Sequence, residues 1–246
     1  MALSPELAAW RKDQRARLIA HRLGLSVDER AAYGRAIDGY LQRGFPVLRE
    51  ATIGLCWPYQ GEYDARPVAE GWRAEGARLA LPSVVAKATP LEFLQWWPEV
   101  EMRAGVYDIP VPVGTSRLVP DALLIPVVGI GAQGDRLGYG GGFYDRTLVA
   151  LARRPITIAI AYESARVPTT HPQDHDVLMD FVVTENGIEA TVPGGLERID
   201  EAEARQRSAQ LWLQRGLGQG ASQHTDSTVE SHRQTRGADV YQSMPE

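Results

Sequence analysis

The chain has 246 residues, of which 44% are hydrophobic and 23% are charged, and these proportions are typical of a soluble globular protein. No stretch approaches the ~20 apolar residues that span a membrane, and residues 1–20 lack the apolar segment of a secretion signal, so we expect a cytoplasmic protein without a membrane partner. The net charge of −5 argues against nucleic acid as a partner, and the single cysteine, Cys56, excludes an internal disulfide framework and a multi-cysteine zinc site.

Two helices are predicted at the N terminus. Ser4 and Pro5 supply an N-cap and a first-turn proline for a helix that carries Arg11 and Arg15 on one face, four residues apart. Residues 26–29 (SVDE) form a capping box, which marks the start of a second helix. The sequence thus predicts an N-terminal helical pair.

Strands and helices alternate through the middle of the chain. Apolar runs predict strands at residues 53–57, 79–81, 91–97, 122–128, 156–161 and 181–184. Helical patterns lie between some of them, at residues 67–73 and 144–153. This order favours an α/β fold: a three-layer, Rossmann-like arrangement in which helices flank a mostly parallel sheet.

The composition changes near the C terminus. Residues 196–217 are rich in Arg, Glu, Gln and Ala and predict a helical extension that follows an α/β domain of residues 1–195. Residues 218–246 hold too little apolar surface to offset the entropy of ordering them, so we expect a disordered tail.

A glycine-rich loop follows the predicted strand at 122–128 and runs up to the helix at 144. Such a loop lets backbone N–H groups approach an anion, and a helix N-terminus at the carboxyl end of a strand favours phosphate. Arg136 and Arg146 lie on either side of the loop, and Asp145 stands at the helix entry. Guanidinium groups suit phosphate oxygens and a carboxylate suits Mg²⁺, so the loop predicts a phosphate site.

Three other interpretations of this loop compete with a phosphate site. Residues 129–134 (GIGAQG) match the dinucleotide fingerprint, but no helical pattern follows directly, which disfavours a Rossmann dehydrogenase. A Walker A loop is excluded because no lysine follows Lys87. A third interpretation, that the loop only connects two elements and binds nothing, stays open.

Residues 136–146 (RLGYGGGFYDR) resemble the signature of the 5-formyltetrahydrofolate cyclo-ligase family, whose members are also called 5,10-methenyltetrahydrofolate synthetases. Further pieces are similar to family motifs in the family's order, over about residues 10–188. These are the basic pair Arg11 and Arg15, the acidic motif GEYD at 61–64, the turn LPSV at 81–84, and the C-terminal pieces at 175–176 and 180–185.

The resemblance implies an enzyme that closes 5-formyltetrahydrofolate to 5,10-methenyltetrahydrofolate with ATP as co-substrate and Mg²⁺ as cofactor, releasing ADP and phosphate through a phosphorylated formyl oxygen. It implies Arg136 and Tyr144 as catalytic residues, and Asp145 and Asp176 as metal ligands. It implies ATP contacts from Arg11, Arg15, Arg136, Leu137, Gly138, Tyr139, Gly140, Gly141, Gly142, Phe143 and Tyr144. It implies substrate contacts from Trp57, Glu62, Tyr139, Gly140, Gly141, Gly142 and Phe143.

Structural interpretations stand beside these roles. Arg11 and Arg15 would also suit a solvated helix face, Tyr144 and Trp57 would suit core packing, Asp145 a helix cap and Glu62 a surface loop. The chain departs from the family's usual residues at Arg11, Phe143 and Val111. A family member that binds folate or nucleotide without this activity, or that acts on another substrate, therefore stays an alternative.

Residues 171–176 (HPQDHD) also resemble a transition-metal cluster. Four-residue His spacing forms a chelate on a helix, but Pro172 indicates a loop, so Mg²⁺ held mainly by nucleotide phosphates is favoured over zinc. The predicted partners are small molecules, a reduced folate and ATP, with a monomer or weak homo-oligomer as the assembly.

Overall fold

The computed structural model describes residues 4–218 and contains five α-helices in that part of the chain. They are α1 (Pro5–Gly24), α2 (Val27–Gly44), α3 (Arg66–Glu75), α4 (Phe143–Ala150) and α5 (Glu201–Gln214). The first two begin as predicted: the Ser4 side chain accepts the Leu7 N–H, and Ser26 and Glu29 form the capping box. The N-terminal helical pair is confirmed.

The strands, in chain order, form one large sheet and two small ones. They are β1 (Thr52–Gly54), β2 (Arg78–Ser83), β3 (Glu92–Trp96), β4 (Met102–Ala104), β5 (Pro110–Pro112), β6 (Arg117–Leu118), β7 (Ala122–Pro126), β8 (Gly129–Ile130), β9 (Arg136–Leu137), β10 (Ile156–Ile160), β11 (Phe181–Thr184), β12 (Gly187–Val192) and β13 (Gly195–Ile199). The large sheet has nine strands in the order β13-β12-β11-β10-β7-β1-β2-β3-β6. The small sheets pair β4 with β5 and β8 with β9.

The centre of the large sheet, from β2 to β11, is parallel, whereas β3 and β6 at one edge and β12 and β13 at the other pair antiparallel. The predicted α/β fold with a mostly parallel sheet is therefore confirmed. Antiparallel edges arise where the connection is too short for a crossover helix, as between β11 and β12.

The sheet is buried on both faces, as three layers require. Along β7, Ala122 and Leu124 belong to a core cluster that includes Ile37 of α2 and Trp72 of α3. The intervening Leu123 and Ile125 point to the opposite face and pack in a second cluster with Leu148 of α4. The period of two residues along the strand thus distributes apolar side chains to both sides.

The C-terminal prediction needs a correction. The helix expected from residue 196 begins only at Glu201, because residues 195–199 form β13 and extend the large sheet. Asp200 then caps α5 by accepting the Glu203 N–H. The domain boundary at 195 stays a prediction, and the tail expected from residue 218 lies outside the described residues apart from Gly218.

The glycine-rich loop also differs from the expectation of one continuous connection. Residues 129–137 form the hairpin of β8 and β9, in which the Gly134 N–H donates to the Gly131 carbonyl. A strand thus follows the GxGxxG pattern where a dinucleotide site requires a helix. Within residues 4–218, no helix is long and apolar enough to cross a membrane.

Candidate functional site

The candidate site lies where the direction of strand addition reverses. From β1 the sheet grows one way through β2 and the other way through β7. In parallel sheets the carboxyl ends of two such strands open a crevice that binds ligands. The loop after β1 carries Glu62, and the chain after β7 carries the hairpin and the glycine-rich residues before α4.

Residues 138–142, named here the glycine segment, lead directly into α4. Gly142 is the N-cap residue in a left-handed conformation with φ of 61°, and no side chain within residues 4–218 caps this helix. The N–H groups of the first turn therefore stay available to an anion, and the helix dipole favours negative charge there.

Arg15 of α1 reaches the glycine segment. Its Nε donates to the Gly138 carbonyl oxygen over 2.7 Å, and a Cβ atom at Gly140 would lie 3.3 Å from the Arg15 Cζ. Burial and the neighbouring charge of Arg11 lower the Arg15 pKa, although a guanidinium stays protonated at any physiological pH. The structure thus brings a predicted phosphate ligand to the predicted phosphate segment.

Arg136 binds two groups on the other side of α4. Its Nη2 donates to Asp145 Oδ1 over 2.6 Å and its Nη1 donates to the Val177 carbonyl over 2.5 Å. The Val177 N–H donates to the same Asp145 oxygen over 3.1 Å. Only 7% of the Arg136 side chain is exposed, so this guanidinium fixes the start of α4 against residues 176–177.

Arg11 holds the loop that contains Asp176. Its Nη2 donates to the His171 carbonyl over 2.8 Å and to Asp176 Oδ2 over 3.1 Å, while its Nε donates to the Thr170 carbonyl. Arg11 is buried, so the expectation of a solvated helix face does not hold for this residue. Its observed contacts are to the loop, and its role toward ATP stays a prediction.

The two predicted metal ligands are linked through Val177, because the N–H of this neighbour of Asp176 donates to Asp145 Oδ1. Oδ2 of Asp145 accepts no hydrogen bond from residues 4–218, and Oδ1 of Asp176 lies 3.7 Å from His175 Nε2. In the same part of the chain, no three His, Cys, Asp or Glu side chains form a metal-binding group. Carboxylate oxygens of this kind are ligands that Mg²⁺ prefers, and the metal role of Asp145 and Asp176 stays a prediction.

Glu62 lies at the end of a turn after β1, and only 4% of its side chain is exposed. Its Oε1 accepts the Tyr139 hydroxyl hydrogen bond over 2.6 Å, and its Oε2 accepts the Tyr59 N–H over 3.0 Å. Burial raises the Glu62 pKa, while the Tyr139 hydrogen bond and the Arg22 charge act in the opposite direction. The expectation of an ordinary surface acid therefore fails.

Tyr144, on the first turn of α4, pairs with the single cysteine. The Tyr144 hydroxyl lies 2.7 Å from Cys56 Sγ. Burial raises the pKa of the Cys56 thiol to about 12 and raises the pKa of Tyr144 as well. Both groups are therefore protonated at neutral pH, so Tyr144 can act as a hydrogen-bond donor and not as a general base. Cys56 also lines a small cavity of about 20 Å³ together with Tyr63 and Ala65.

Trp57 and Phe143 each lie beneath an arginine. The Arg66 Cζ lies 3.8 Å from the centre of the Trp57 ring, and Asp64 holds that guanidinium through two hydrogen bonds. The Arg146 Cζ lies 5.2 Å from the Phe143 ring. Trp57 also packs against the core cluster.

Two side chains that sequence reasoning missed connect these elements. Arg22 of α1 donates to the Tyr139 hydroxyl over 2.6 Å, and Asp135 in the β8–β9 hairpin accepts the Thr170 N–H over 3.2 Å. Arg22 follows Arg11, Arg15 and Leu18 at spacings of four, three and four residues, which place all of them on one helix face. That spacing is the signal that could have found it.

Known proteins resemble this chain over most of its length. Residues 7–185 match the model of the 5-formyltetrahydrofolate cyclo-ligase family. The chain is 29% identical over 177 residues to the 5-formyltetrahydrofolate cyclo-ligase of Escherichia coli strain K12, covering 68% of this chain and 96% of that protein. It is 32% identical over 117 residues to the enzyme of that name from Mycolicibacterium smegmatis, covering 44% of this chain and 60% of that protein.

Solved structures give the same result. The 5,10-methenyltetrahydrofolate synthetase of Aquifex aeolicus superposes with a TM-score of 0.63 at 25% identity, over 74% of this chain and 92% of that one. The fold is shared with the 5,10-methenyltetrahydrofolate synthetase of Mycoplasma pneumoniae, with a TM-score of 0.60 at 24% identity over 71% and 98% of the two chains. The resemblance found in the signature at 136–146 is confirmed, and the chain belongs to the 5-formyltetrahydrofolate cyclo-ligase family.

Proposed function

We propose that this protein converts 5-formyltetrahydrofolate and ATP to 5,10-methenyltetrahydrofolate, ADP and phosphate in the presence of Mg²⁺. The observation that carries the proposal is the contact between the Tyr139 hydroxyl and Glu62 Oε1, at 2.6 Å. It joins the glycine segment, which suits a nucleotide phosphate, to the carboxylate that suits a pterin ring. ATP and a folate bound at these two places would lie next to each other, so the phosphoryl group could pass directly from ATP to the folate.

The reaction needs activation of an unreactive amide. An N-formyl oxygen is a poor leaving group, so transfer of the γ-phosphoryl group from ATP to that oxygen makes it a good one. N10 of the folate then attacks the formyl carbon and gives up its proton to the departing phosphate, the bond to the phosphorylated oxygen breaks, and phosphate leaves as the ring closes. No covalent intermediate with a protein side chain is required, and catalysis rests on positioning and charge neutralisation.

The residues divide between the two substrates. The open N–H groups of α4 and the Arg15 guanidinium would bind the nucleotide phosphates, and Arg136 would hold α4 and Asp145 in place. Glu62 would accept hydrogen bonds from the pterin N–H groups, and Tyr144, which is protonated, would donate one near the formyl group. Mg²⁺ held by Asp145 and Asp176 would neutralise phosphate charge.

The proposal is tested by mixing the protein with 5-formyltetrahydrofolate, ATP and Mg²⁺ at neutral pH and following the near-ultraviolet absorbance of the methenyl product. We expect product and phosphate to appear in equal amounts, with no product when ATP is left out. ATP hydrolysis without the methenyl product would indicate another substrate. Binding of folate without turnover would indicate a non-catalytic relative.

The metal assignment has its own test. Asp145→Asn should raise the Mg²⁺ concentration that gives half-maximal rate, because one anionic oxygen is lost from the metal site. Asp13→Asn, which changes an exposed carboxylate on α1, serves as the matched control and should leave that concentration unchanged. Equal Mg²⁺ dependence in both variants would remove Asp145 from the metal site. The cytoplasmic location and the monomeric or weakly oligomeric state stay predictions.

A further inference from the structure

Arg22 is a buried arginine that the proposed chemistry does not use. Only 9% of its side chain is exposed, and its three nitrogens contact three different segments. Its Nε donates to the Gln60 carbonyl in the turn before Glu62 over 2.9 Å, and its Nη1 donates to the Val127 carbonyl after β7 over 3.4 Å. Its Nη2 donates to the Tyr139 hydroxyl in the glycine segment over 2.6 Å.

The contact with Tyr139 fixes the direction of a hydrogen-bond chain. A guanidinium can only donate, so the Tyr139 oxygen must accept from Arg22. The Tyr139 hydrogen is then directed to its other neighbour, Oε1 of Glu62, at 2.6 Å. The Tyr59 N–H occupies one site on Oε2, which leaves one lone pair free on each carboxylate oxygen. Two N–H donors of a ligand would satisfy those two acceptor sites.

We propose that Arg22 is a positioning residue, which acts through Tyr139 to hold the Glu62 carboxylate in the orientation that binds the pterin ring of a reduced folate. This inference rests on the proposed function, because it takes Glu62 as the folate ligand. Arg22 does not touch the folate itself. It links α1, the Glu62 turn, the end of β7 and the glycine segment at one point.

The charge of Arg22 also acts on Glu62, since its Nη2 lies 3.9 Å from Oε1. The other groups that face this carboxylate are the phenols of Tyr139, Tyr144 and Tyr162 and the thiol of Cys56. Burial raises the pKa of each of them, so they are neutral near pH 7. Arg22 is thus the cation that faces Glu62 among the described residues and favours its ionised form.

The first test is Arg22→Met, which keeps much of the apolar volume and removes every donor. We expect the KM for 5-formyltetrahydrofolate to rise by roughly ten- to a hundredfold, the loss typical of a hydrogen bond to a charged group. The KM for ATP should rise by a smaller factor than the KM for folate, because Arg22 contacts the predicted ATP segment at the Tyr139 hydroxyl, whereas its other two hydrogen bonds go to the Gln60 and Val127 carbonyls. Arg17→Met, an exposed arginine of the same helix, is the matched control and should change neither constant.

A second pair of variants separates positioning from a merely structural role. Tyr139→Phe breaks the same hydrogen-bond chain without emptying a buried site, so it should raise the folate KM in the same direction. In the double variant the two effects should be non-additive, since either change alone interrupts the chain. Arg22→Lys should not restore the folate KM, because one ammonium cannot reach three acceptors in three segments.

The pH dependence gives an independent readout. Without the Arg22 charge, the pKa of Glu62 rises further, and Glu62 takes up its proton at a higher pH. As the pH is lowered, the KM of Arg22→Met for folate should therefore start to increase at a higher pH than the KM of the parent protein does. Three results would each overturn the inference. The first is an equal increase of the KM for folate and for ATP, and the second is an additive effect of Arg22→Met and Tyr139→Phe. The third is a folate KM that increases at the same acidic pH in Arg22→Met as in the parent protein. An inactive parent protein would instead contradict the proposed function, so the two failures are distinguishable.

Discussion

The two N-terminal helices are attached to the protein in different ways. The residues that α2 buries are Ile37, Leu41 and Gly44, and both apolar side chains belong to the main core cluster. The residues that α1 buries are Arg11, Leu18 and Arg22, so two of its three buried positions carry a charge. The apolar one, Leu18, packs in a small cluster of its own with residues after β7.

This difference indicates that α2 stabilises the core of the fold, whereas α1 positions loops of the candidate site. Burial of apolar surface in α2 contributes to the free energy of unfolding whether or not a ligand is bound. The arginines of α1 instead donate to the loops at the carboxyl ends of the strands. The arginines of α1 therefore contribute contacts to the candidate site, and substitutions in the two helices should separate stability from function.

The largest effect should come from α2. Leu41→Ala removes a fully buried side chain and should lower the free energy of unfolding by about 2–5 kcal/mol, measured by urea denaturation. The KM values of the fraction that remains folded should match those of the parent protein. A large change in either KM would show that α2 also shapes the site.

A substitution in α1 should have the opposite profile. Arg15→Met removes the hydrogen bond to Gly138 and a predicted phosphate ligand, so kcat/KM for ATP should fall by roughly ten- to a hundredfold. The free energy of unfolding should change by less than about 1 kcal/mol, because a single hydrogen bond contributes about that much. A variant that lost stability and kept its ATP kinetics would make α1 a structural helix like α2.

Glu62→Gln sharpens the comparison through pH. Because burial raises the pKa of Glu62 above its ordinary value of 4.5, the native protein binds this proton more tightly than the unfolded chain. The ionised carboxylate therefore lowers the stability of the parent protein as pH rises from 4.5 through the raised pKa. As the pH rises from 4.5 through the raised pKa, Glu62→Gln should therefore gain stability relative to the parent protein. Thermal unfolding of both proteins at a series of pH values measures this difference.

The same variant should bind folate less well. A neutral amide in place of the carboxylate should raise the KM for 5-formyltetrahydrofolate by about tenfold at neutral pH, since a charge-assisted hydrogen bond is replaced by a weaker one. Greater stability with an unchanged KM would place the pterin elsewhere.

The smallest effect should come from the exposed ion pair between α2 and α5. Arg43 Nη2 lies 2.9 Å from Glu201 Oε1, and 58% of the arginine side chain is exposed. Glu201→Gln should change the free energy of unfolding by less than about 1 kcal/mol and leave all kinetic constants unchanged. A larger loss of stability would mean that charges also hold α2.

The sequence predicted the elements whose pattern is local. The central strands β7, β10 and β11 are buried on both faces and read as continuous apolar runs, and the caps at Ser4 and Ser26 are decided by neighbouring residues. The residues of β13 instead predict a helix, because Glu197 and Arg198 in its middle are exposed and precede a charged helical pattern. Its pairing with β12 is a tertiary interaction that no local pattern contains.

The candidate site also has a part that local sequence predicts and a part that depends on tertiary contacts. The signature at 136–146 indicated the family and the segment, because those residues are contiguous. The contacts of Glu62 with Tyr139 and of Arg11 with Asp176 join residues far apart in the chain and became visible only in the fold. Arg22 was overlooked because a charge on a buried helix face contradicts the usual apolar stripe.

The arginine face of α1 has a consequence for how the protein can be observed. Arg11, Arg15 and Arg22 each support a different loop, at residues 170–176, 138–142 and 59–62. Any opening of α1 therefore loosens all three loops together, whereas its apolar anchorage is small. Amide hydrogen exchange along this helix should consequently slow when folate or ATP binds. The exchange rate of α1 would then report whether the site is occupied.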